Sequence, residues 1–125
     1  MILVVDDELG VRRACTRVLR SDGFEVVVAE SGREALALAE ARDGEIHLAL
    51  VDVVMPEMTG PELARQLRTR WRNIKILFMS GYASEHAGEV GAMEPAEHFL
   101  GKPFSAEVLT RKVREVLGGG SASSD

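Results

Sequence analysis

The sequence has few of the features that mark several classes of protein. It contains one cysteine, Cys15, and this excludes an internal disulfide. No apolar run approaches the roughly 20 residues that a membrane-spanning helix needs, and no basic leader precedes the first apolar segment. Lysine and arginine total 15 against 20 acidic residues, and the net charge of −5 disfavours non-specific nucleic-acid binding. We therefore expect a soluble, cytoplasmic protein that contacts neither membrane nor nucleic acid directly.

The single cysteine has two interpretations. A lone cysteine can serve as a nucleophile, or it can fill space in a core as a small apolar residue. Val11, Cys15, Val18 and Leu19 recur at helical spacing and share one stripe of a predicted helix. This pattern favours the core interpretation.

Short apolar runs alternate with segments of helical periodicity along the chain. Strands are predicted over residues 2–5, 24–29, 46–52, 75–80 and 98–101. Helices are predicted over residues 8–21, 32–41, 61–70 and 105–117, with a short, weak fourth helix within 83–95. Alternating strands and helices indicate an α/β domain, in which a five-stranded parallel sheet is covered on both faces. The domain is expected over residues 1–118, followed by a flexible tail over 119–125.

Polar residues near helix starts predict how three helices begin. Ser31 is followed three residues later by Glu34, and this spacing predicts a capping box. Pro61 suits a first helical turn. Asp6 and Asp7 precede the first helix, and aspartate is a favoured N-cap, so Asp7 could act partly as the cap, which does not exclude a site function for the other carboxylate.

Polar side chains follow the apolar runs where ligands usually bind in such sheets. Asp6 and Asp7 follow the first strand, Asp52 ends the third, Ser80 ends the fourth and Lys102 follows the fifth. The carboxyl ends of parallel strands meet at one edge, so we expect these side chains to lie close together.

The chemistry of this set points to a metal ion and a phosphoryl group. Three carboxylates in one cleft repel one another, and a divalent cation removes that repulsion. Hard oxygen donors without nearby histidine select Mg²⁺, or Mn²⁺, over zinc. Lys102, the Ser80 hydroxyl and the Gly81 N–H could then hold phosphoryl oxygens, and Asp52 would be the nucleophile that becomes an aspartyl phosphate.

Four segments of the chain resemble the motifs of receiver domains of bacterial two-component signalling. They are VVDDE at residues 4–8, LVDVVMPEMTG at 50–60, FMSGY at 78–82 and FLGKPF at 99–104, and they match in order and spacing. The resemblance implies a flavodoxin-like, doubly wound sheet with strand order 2-1-3-4-5 and five helices. The last two motifs also resemble the C-terminal receivers of hybrid sensor histidine kinases.

The resemblance assigns a metal site and a phosphorylation site. Asp52 matches the phosphoacceptor, and Asp6 and Asp7 match the acidic pair that holds magnesium. The backbone carbonyl of Val54 matches a further metal ligand. Lys102 matches the family's lysine, which is followed by a proline whose preceding bond is usually cis.

The resemblance also implies a conformational switch. Ser80 matches the hydroxyl residue that moves toward the phosphoryl group, and Phe99 matches the aromatic residue that then turns inward. Phosphorylation would reshape the surface formed by the predicted fourth helix, the fifth strand and the fifth helix.

The family's phosphoryl donor is a phosphohistidine on a sensor histidine kinase or a phosphotransfer domain. The receiver catalyses its own phosphorylation and slow dephosphorylation without being a turnover enzyme by itself. The chain begins flush with its first strand, which suggests a fragment of a hybrid sensor histidine kinase, and a weak homodimer is left open.

Three alternatives belong to other functional classes. The chain could be a pseudo-receiver, an interaction module that keeps the fold and is not phosphorylated. A phosphatase of the haloacid-dehalogenase type needs a second aspartate two residues after its nucleophile, and Glu8 stands there. A flavin-binding protein of similar fold would meet an acidic cleft that repels the flavin phosphate.

Overall fold

The central element of the molecule is a five-stranded parallel sheet. The computed structural model describes residues 1–81 and 98–118. The strands lie in the order β2-β1-β3-β4-β5, which confirms the predicted topology. Their bounds are Ile2–Val5 (β1), Val26–Ala29 (β2), Leu48–Asp52 (β3), Lys75–Ser80 (β4) and His98–Gly101 (β5).

Burial explains why the central strands are almost purely aliphatic. Every residue of β1 and β3 is buried, because helices cover both faces of the sheet there. The edge strands β2 and β5 have partly exposed residues. Strands two and three begin two residues later than predicted. Residues just before them still make backbone hydrogen bonds at the start of β1. The Ile2 N–H donates to the Glu25 carbonyl over 2.7 Å, and the His47 N–H donates to the carbonyl of Met1, which precedes β1, over 2.9 Å.

Four helices lie in the described part of the chain. They are Leu9–Ser21 (α1), Gly32–Ala41 (α2), Gly60–Arg70 (α3) and Ala106–Leu117 (α4). The predicted fourth helix, within residues 83–95, lies outside the described residues, as does the predicted tail at 119–125. Helix α4 is therefore the fifth helix of the predicted order. None of the four has the length and apolarity that crossing a bilayer requires.

The helix starts agree with the sequence pattern except in one detail, and they also decide whether Asp7 caps the first helix. The Ser31 hydroxyl accepts from the Glu34 N–H over 3.1 Å, as predicted. The Glu34 carboxylate accepts from the Glu30 N–H over 2.8 Å instead of from that of Ser31, so the second half of the capping box is wrong. Helix α1 is capped by Glu8 without a side-chain hydrogen bond, so Asp7 is not its N-cap.

Two apolar cores form, one on each face of the sheet. Helices α2 and α3 pack on one face, around the fully buried residues Leu63 and Phe78. Helices α1 and α4 pack on the other face, where Cys15 is fully buried beside Leu109. Burial raises the pKa of the Cys15 thiol to about 11, with a further contribution from the charge of Asp6. Because the reactive form of cysteine is the thiolate, this confirms the core interpretation.

The start of α3 touches the end of β3 directly. Gly60 N–H donates to the Val53 carbonyl over 2.8 Å. A Cβ atom on Gly60 would lie 2.4 Å from the carbonyl oxygen of Asp52 and 2.9 Å from the Cα of Val53. Both are backbone atoms, so neither can rotate away. Only glycine therefore lets the start of α3 lie this close to the backbone of Asp52 and Val53.

We expect Gly60→Ala to lower the free energy of unfolding by about 2–3 kcal/mol, because the new methyl group overlaps the backbone of β3. Urea denaturation measures the change. Gly10→Ala is the matched control, since a Cβ there meets nothing within 4 Å. Alanine also favours a helix over glycine by about 1 kcal/mol, so the control should be neutral or stabilised. Equal stability of the two variants would contradict the steric argument.

Candidate functional site

The predicted site residues converge at the carboxyl edge of the sheet. A groove of 580 Å³ opens there, and its lining includes Asp7, Asp52, Ser80, Gly81 and Lys102. Lys102 is far from the acidic pair in the sequence. It arrives because Ser80 of β4 pairs with Gly101 of β5, and the Lys102 N–H donates to the Ser80 carbonyl over 2.8 Å.

Among the described residues, Asp6 is the most deeply buried charged residue. Its side chain has no exposed surface, so both carboxylate oxygens need partners. One oxygen, Oδ1, accepts from the Glu8 N–H over 2.9 Å. The other, Oδ2, accepts from Lys102 Nζ over 2.8 Å. The burial of this carboxylate therefore depends on the lysine.

Lys102 lies among several carboxylates at once. Its Nζ is 2.8 Å from Asp6, 3.5 Å from Asp52 and 3.9 Å from Glu8. Burial by itself lowers the pKa of Lys102. The hydrogen bond to Asp6 and the surrounding negative charges outweigh burial, so the net effect raises the pKa. The lysine therefore stays charged at neutral pH. The peptide bond between Lys102 and Pro103 is cis, as the resemblance implies.

Asp52 is buried but incompletely compensated. Only 7% of the residue is exposed. Its pKa is raised from 3.8 to about 6, mainly by desolvation and then by the charge of Asp6. Lys102 and a hydrogen bond from the Val54 N–H act in the opposite direction and recover only part of the shift. The carboxylate of Asp52 would therefore gain from a further positive charge.

Asp6, Asp7 and Asp52 fit a divalent cation. Each offers one carboxylate oxygen, and the three oxygens lie within 4.8 Å of one another. Hard oxygen ligands of this kind suit Mg²⁺ or Mn²⁺. Asp7 is exposed, in contrast to Asp6, so solvent reaches the cluster from that side. Receiver domains generally bind Mg²⁺ at an acidic pocket of this kind.

Ser80 and Gly81 line the same groove at the end of β4. The Ser80 hydroxyl oxygen is buried and has no hydrogen-bond partner among the described residues. An unpaired buried hydroxyl is destabilising, so this oxygen is available for an incoming polar group. Val54 also lines the groove, although the orientation of its carbonyl toward a metal stays a prediction.

Phe99 lies outside the residues that line the groove. It is half-buried on β5 and packs against Phe78, with ring centroids 5.7 Å apart. This contact joins Phe99 to the core on the α2–α3 face. Phe99 is therefore a packing residue in this structure. Its role as a conformational switch stays a prediction.

Sequence reasoning missed Arg12. This residue is half-buried on the first turns of α1, and its Nη1 donates to the Asp6 carbonyl over 2.7 Å. Its Nη2 lies 4.0 Å from the Glu30 carboxylate. Arg12 thus fixes the backbone of the loop that contains Asp6 and Asp7. The available signal in the sequence was its position six residues after Asp6, in the first turn of the helix, from which a long side chain can reach back to the loop.

The chain matches the response regulator receiver domain family over residues 2–114. It is 43% identical over 116 residues to the sensor kinase CckA of Brucella abortus, a match that covers 93% of this chain and 12% of that protein. It is 38% identical over 117 residues to the response regulator MprA of Mycolicibacterium vanbaalenii, covering 93% of this chain and 49% of that protein. The chain thus spans about half, or much less, of these relatives.

Solved structures agree with the sequence matches. The receiver domain of the hybrid histidine kinase CckA has a TM-score of 0.79 at 37% identity, covering 93% of this chain and 97% of that one. The chemotaxis protein CheY4 of Vibrio cholerae has a TM-score of 0.78 at 33% identity, covering 92% and 96%. These matches confirm the predicted resemblance, including the similarity to receivers of hybrid kinases.

The raised pKa of Asp52 predicts how stability changes with pH in metal-free buffer. Between pH 4 and 6 the unfolded chain loses this proton before the folded chain does, so stability falls as pH rises. From pH 4 to 7 we expect the parent to lose on the order of 2 kcal/mol of stability relative to Asp52→Asn, whose amide side chain does not titrate in this range. Urea denaturation with a chelator present measures both profiles.

The exposed carboxylate Glu25 provides the control for this pH dependence. The profile of Glu25→Gln should run parallel to that of the parent. Parallel profiles of the parent and Asp52→Asn would contradict the prediction.

The position of Lys102 predicts competition with a metal ion. Its ammonium group donates a hydrogen bond to Asp6 Oδ2 and neutralises part of the negative charge of the three carboxylates. Removing the charge in Lys102→Met should strengthen Mg²⁺ binding by about three- to tenfold, because the repulsion between two cations disappears. The metal-free protein should become less stable, since Asp6 loses its partner.

Isothermal titration calorimetry near neutral pH measures the affinity for Mg²⁺. Lys112→Met removes a lysine from α4 that pairs with Glu115, and it should leave the affinity unchanged. Weaker Mg²⁺ binding in Lys102→Met would instead mean that the lysine holds the carboxylates in position.

Proposed function

The chain belongs to the response regulator receiver domain family, and on that premise we propose that it accepts a phosphoryl group on Asp52. The observation that carries the proposal is the convergence of three carboxylates and Lys102 in one groove. Receiver domains interact with histidine kinases or phosphotransfer proteins, so the donor would be a phosphohistidine on such a partner.

The reaction transfers the phosphoryl group from nitrogen to oxygen. An Asp52 carboxylate oxygen forms a bond to phosphorus while the bond from phosphorus to the imidazole nitrogen breaks. The imidazole keeps the electron pair of the broken bond and takes up a proton from solvent. Asp52 must be deprotonated to attack, and Lys102, 3.5 Å away, favours that state.

The groove supplies charge compensation to the transferred group. A Mg²⁺ ion held by Asp6, Asp7, Asp52 and the Val54 carbonyl would neutralise charge on the phosphoryl oxygens. Lys102 can donate to a phosphoryl oxygen and balance part of its charge. It would have to share or leave its contact with Asp6, because the same ammonium group serves both anions.

The unpaired Ser80 hydroxyl supports a role in holding the product. Its oxygen is buried, lacks a partner in the described part of the chain, and belongs to a residue that lines the groove. The hydroxyl and the Gly81 N–H would each donate to a phosphoryl oxygen. In our proposal, movement of Ser80 and then of Phe99 reshapes the surface that includes β5 and α4.

We also propose that the chain is part of a hybrid sensor histidine kinase. The 43% identity to the Brucella kinase supports this, and the matched region is 12% of that protein. The domain bounds 1–118 belong to the same proposal, and α4 ends at Leu117 within them.

Intact-mass spectrometry after incubation with acetyl phosphate tests the proposal. We expect one added phosphoryl group in the presence of Mg²⁺, and none with a chelator or in Asp52→Asn. Glu25→Gln is the control for unrelated carboxylate changes and should be labelled like the parent.

Absence of labelling in a folded protein that binds Mg²⁺ would contradict the proposal and favour the pseudo-receiver. Labelling that persists in Asp52→Asn would place the acceptor on another residue.

A further inference from the structure

Strand β2 is an open edge of the sheet. It pairs with β1 on one side, and no strand in the described ranges pairs with its other side. An open edge presents backbone N–H and C=O groups that can bind an additional strand. The surroundings of this edge therefore indicate what kind of chain it can accept.

The backbone of β2 alternates between its neighbour and the open side. The carbonyls of Glu25 and Ala29 face β1, where they accept from the N–H groups of Ile2 and Asp6. The even-numbered residues of the strand consequently direct their backbone groups outward. The Val26 carbonyl accepts from Arg20 Nη2 over 3.2 Å, which agrees with this alternation. At Val28, both the N–H and the C=O lie on the open side.

A groove of 660 Å³ runs along this edge, between α1 and α2. It contains Leu9, which is 50% exposed, and Val28, which is 39% exposed. These two are the exposed large apolar residues of the described part of the protein. Leu38 of α2 lines the other side of the groove and is half-buried. The edge thus combines backbone hydrogen-bonding groups with apolar surface.

The α1 wall of the groove is strongly basic, although the protein as a whole carries a charge of −5. Its four arginines are Arg12, Arg13, Arg17 and Arg20. Arg12 and Arg20 are engaged with backbone carbonyls. Arg13 and Arg17 are exposed, and neither has a hydrogen bond or ion pair within residues 1–81 and 98–118. These two guanidinium groups are available to anions.

We propose that this groove binds an extended acidic segment of a partner protein, which adds to the sheet as a strand beside β2. The open backbone of Val28 supplies the strand pairing, and Arg13 and Arg17 supply the charge complementarity. A second copy of the chain does not fit, because two such edges would bring their arginines together. None of the residues that line this groove lines the groove that contains Asp52, so the inference does not rest on phosphorylation.

The two faces of the sheet specify a sequence pattern for this segment. Val26 belongs to the core on the α1 side, whereas Val27 packs toward the α2 side near Leu38. Side chains of an added strand alternate in the same way. Acidic residues at every second position would face the arginines of α1, and apolar residues between them would face Leu38.

The test uses a capped peptide of about eight residues that alternates valine and glutamate, which matches the length of a typical strand. Titration into the nitrogen-15-labelled protein should shift the backbone amides of Val28 and its neighbours in β2 and α1. Arg13→Glu combined with Arg17→Glu should weaken binding by about tenfold or more. Arg65→Glu combined with Arg72→Glu is the matched control, since both residues are exposed on another surface.

A second peptide tests whether the alternating pattern matters. It has the same composition, with its glutamates and valines in separate blocks, and it should bind several-fold more weakly. Equal binding of both peptides, or equal weakening by the control variant, would reduce the effect to non-specific charge attraction and overturn the proposal. Absence of shifts at about 10 mM peptide would also overturn it. Tighter binding of oligothymidylate at the same residues would assign the surface to nucleic acid instead.

Circular dichroism and urea denaturation show whether the fold of the variants is intact. Arg13→Glu combined with Arg17→Glu should unfold like the parent, because both side chains are exposed. Lost peptide binding together with a lost folded spectrum would indicate misfolding. In that case Arg13→Gln combined with Arg17→Gln, which removes the charge without reversing it, repeats the test and should still weaken binding.

Discussion

The ion pair between Lys102 and Asp6 is the interaction on which the site depends. Asp6 is fully buried, and a carboxylate in that position is strongly destabilising without a cationic partner. The partner comes from 96 residues away, over a distance of 2.8 Å, and the pairing of β5 with β4 brings it there. The same ammonium group also reaches Asp52. One lysine therefore serves two buried acids and leaves the second incompletely neutralised, which makes this end of the sheet receptive to a cation or a phosphoryl group.

Most of the fold could be predicted from apolar runs because the central strands are buried on both faces. The ILVV and LALV segments are continuous aliphatic runs, which are typical of strands buried on both faces, and β1 and β3 occupy the expected positions. The details that residue types leave open lie where local hydrogen bonds compete. Aspartate is a favoured N-cap, so Asp7 could have capped α1, but Asp6 accepts from the Glu8 N–H and the helix begins after Glu8. A pattern of residue types cannot resolve which of two adjacent carboxylates makes such a bond.

The convergence of Asp6, Asp52, Ser80 and Lys102 could be predicted because the carboxyl ends of parallel strands share an edge of the sheet. The motifs then implied a role for each residue. What could not be predicted is how the charges are distributed among them. The raised pKa of Asp52 arises from burial that no residue pattern reports. The contact of Arg12 with the Asp6 carbonyl depends on the path of the loop between β1 and α1. The packing of Phe99 on Phe78 requires the register of β4 and β5, which pairs these two residues directly.

The central position of β1 has a consequence for the order in which the protein can form during synthesis. Among the strands of this domain the ribosome makes β1 before the others, yet its two neighbours in the sheet begin at Val26 and Leu48. Within this domain the acidic pair is therefore made before its sheet neighbours, while the lysine that allows Asp6 to be buried follows 96 residues after Asp6. An incomplete nascent chain would hold this carboxylate near water or unpaired, and stable closure of the sheet around it must wait for β5. The site is completed by the same late step that completes the fold.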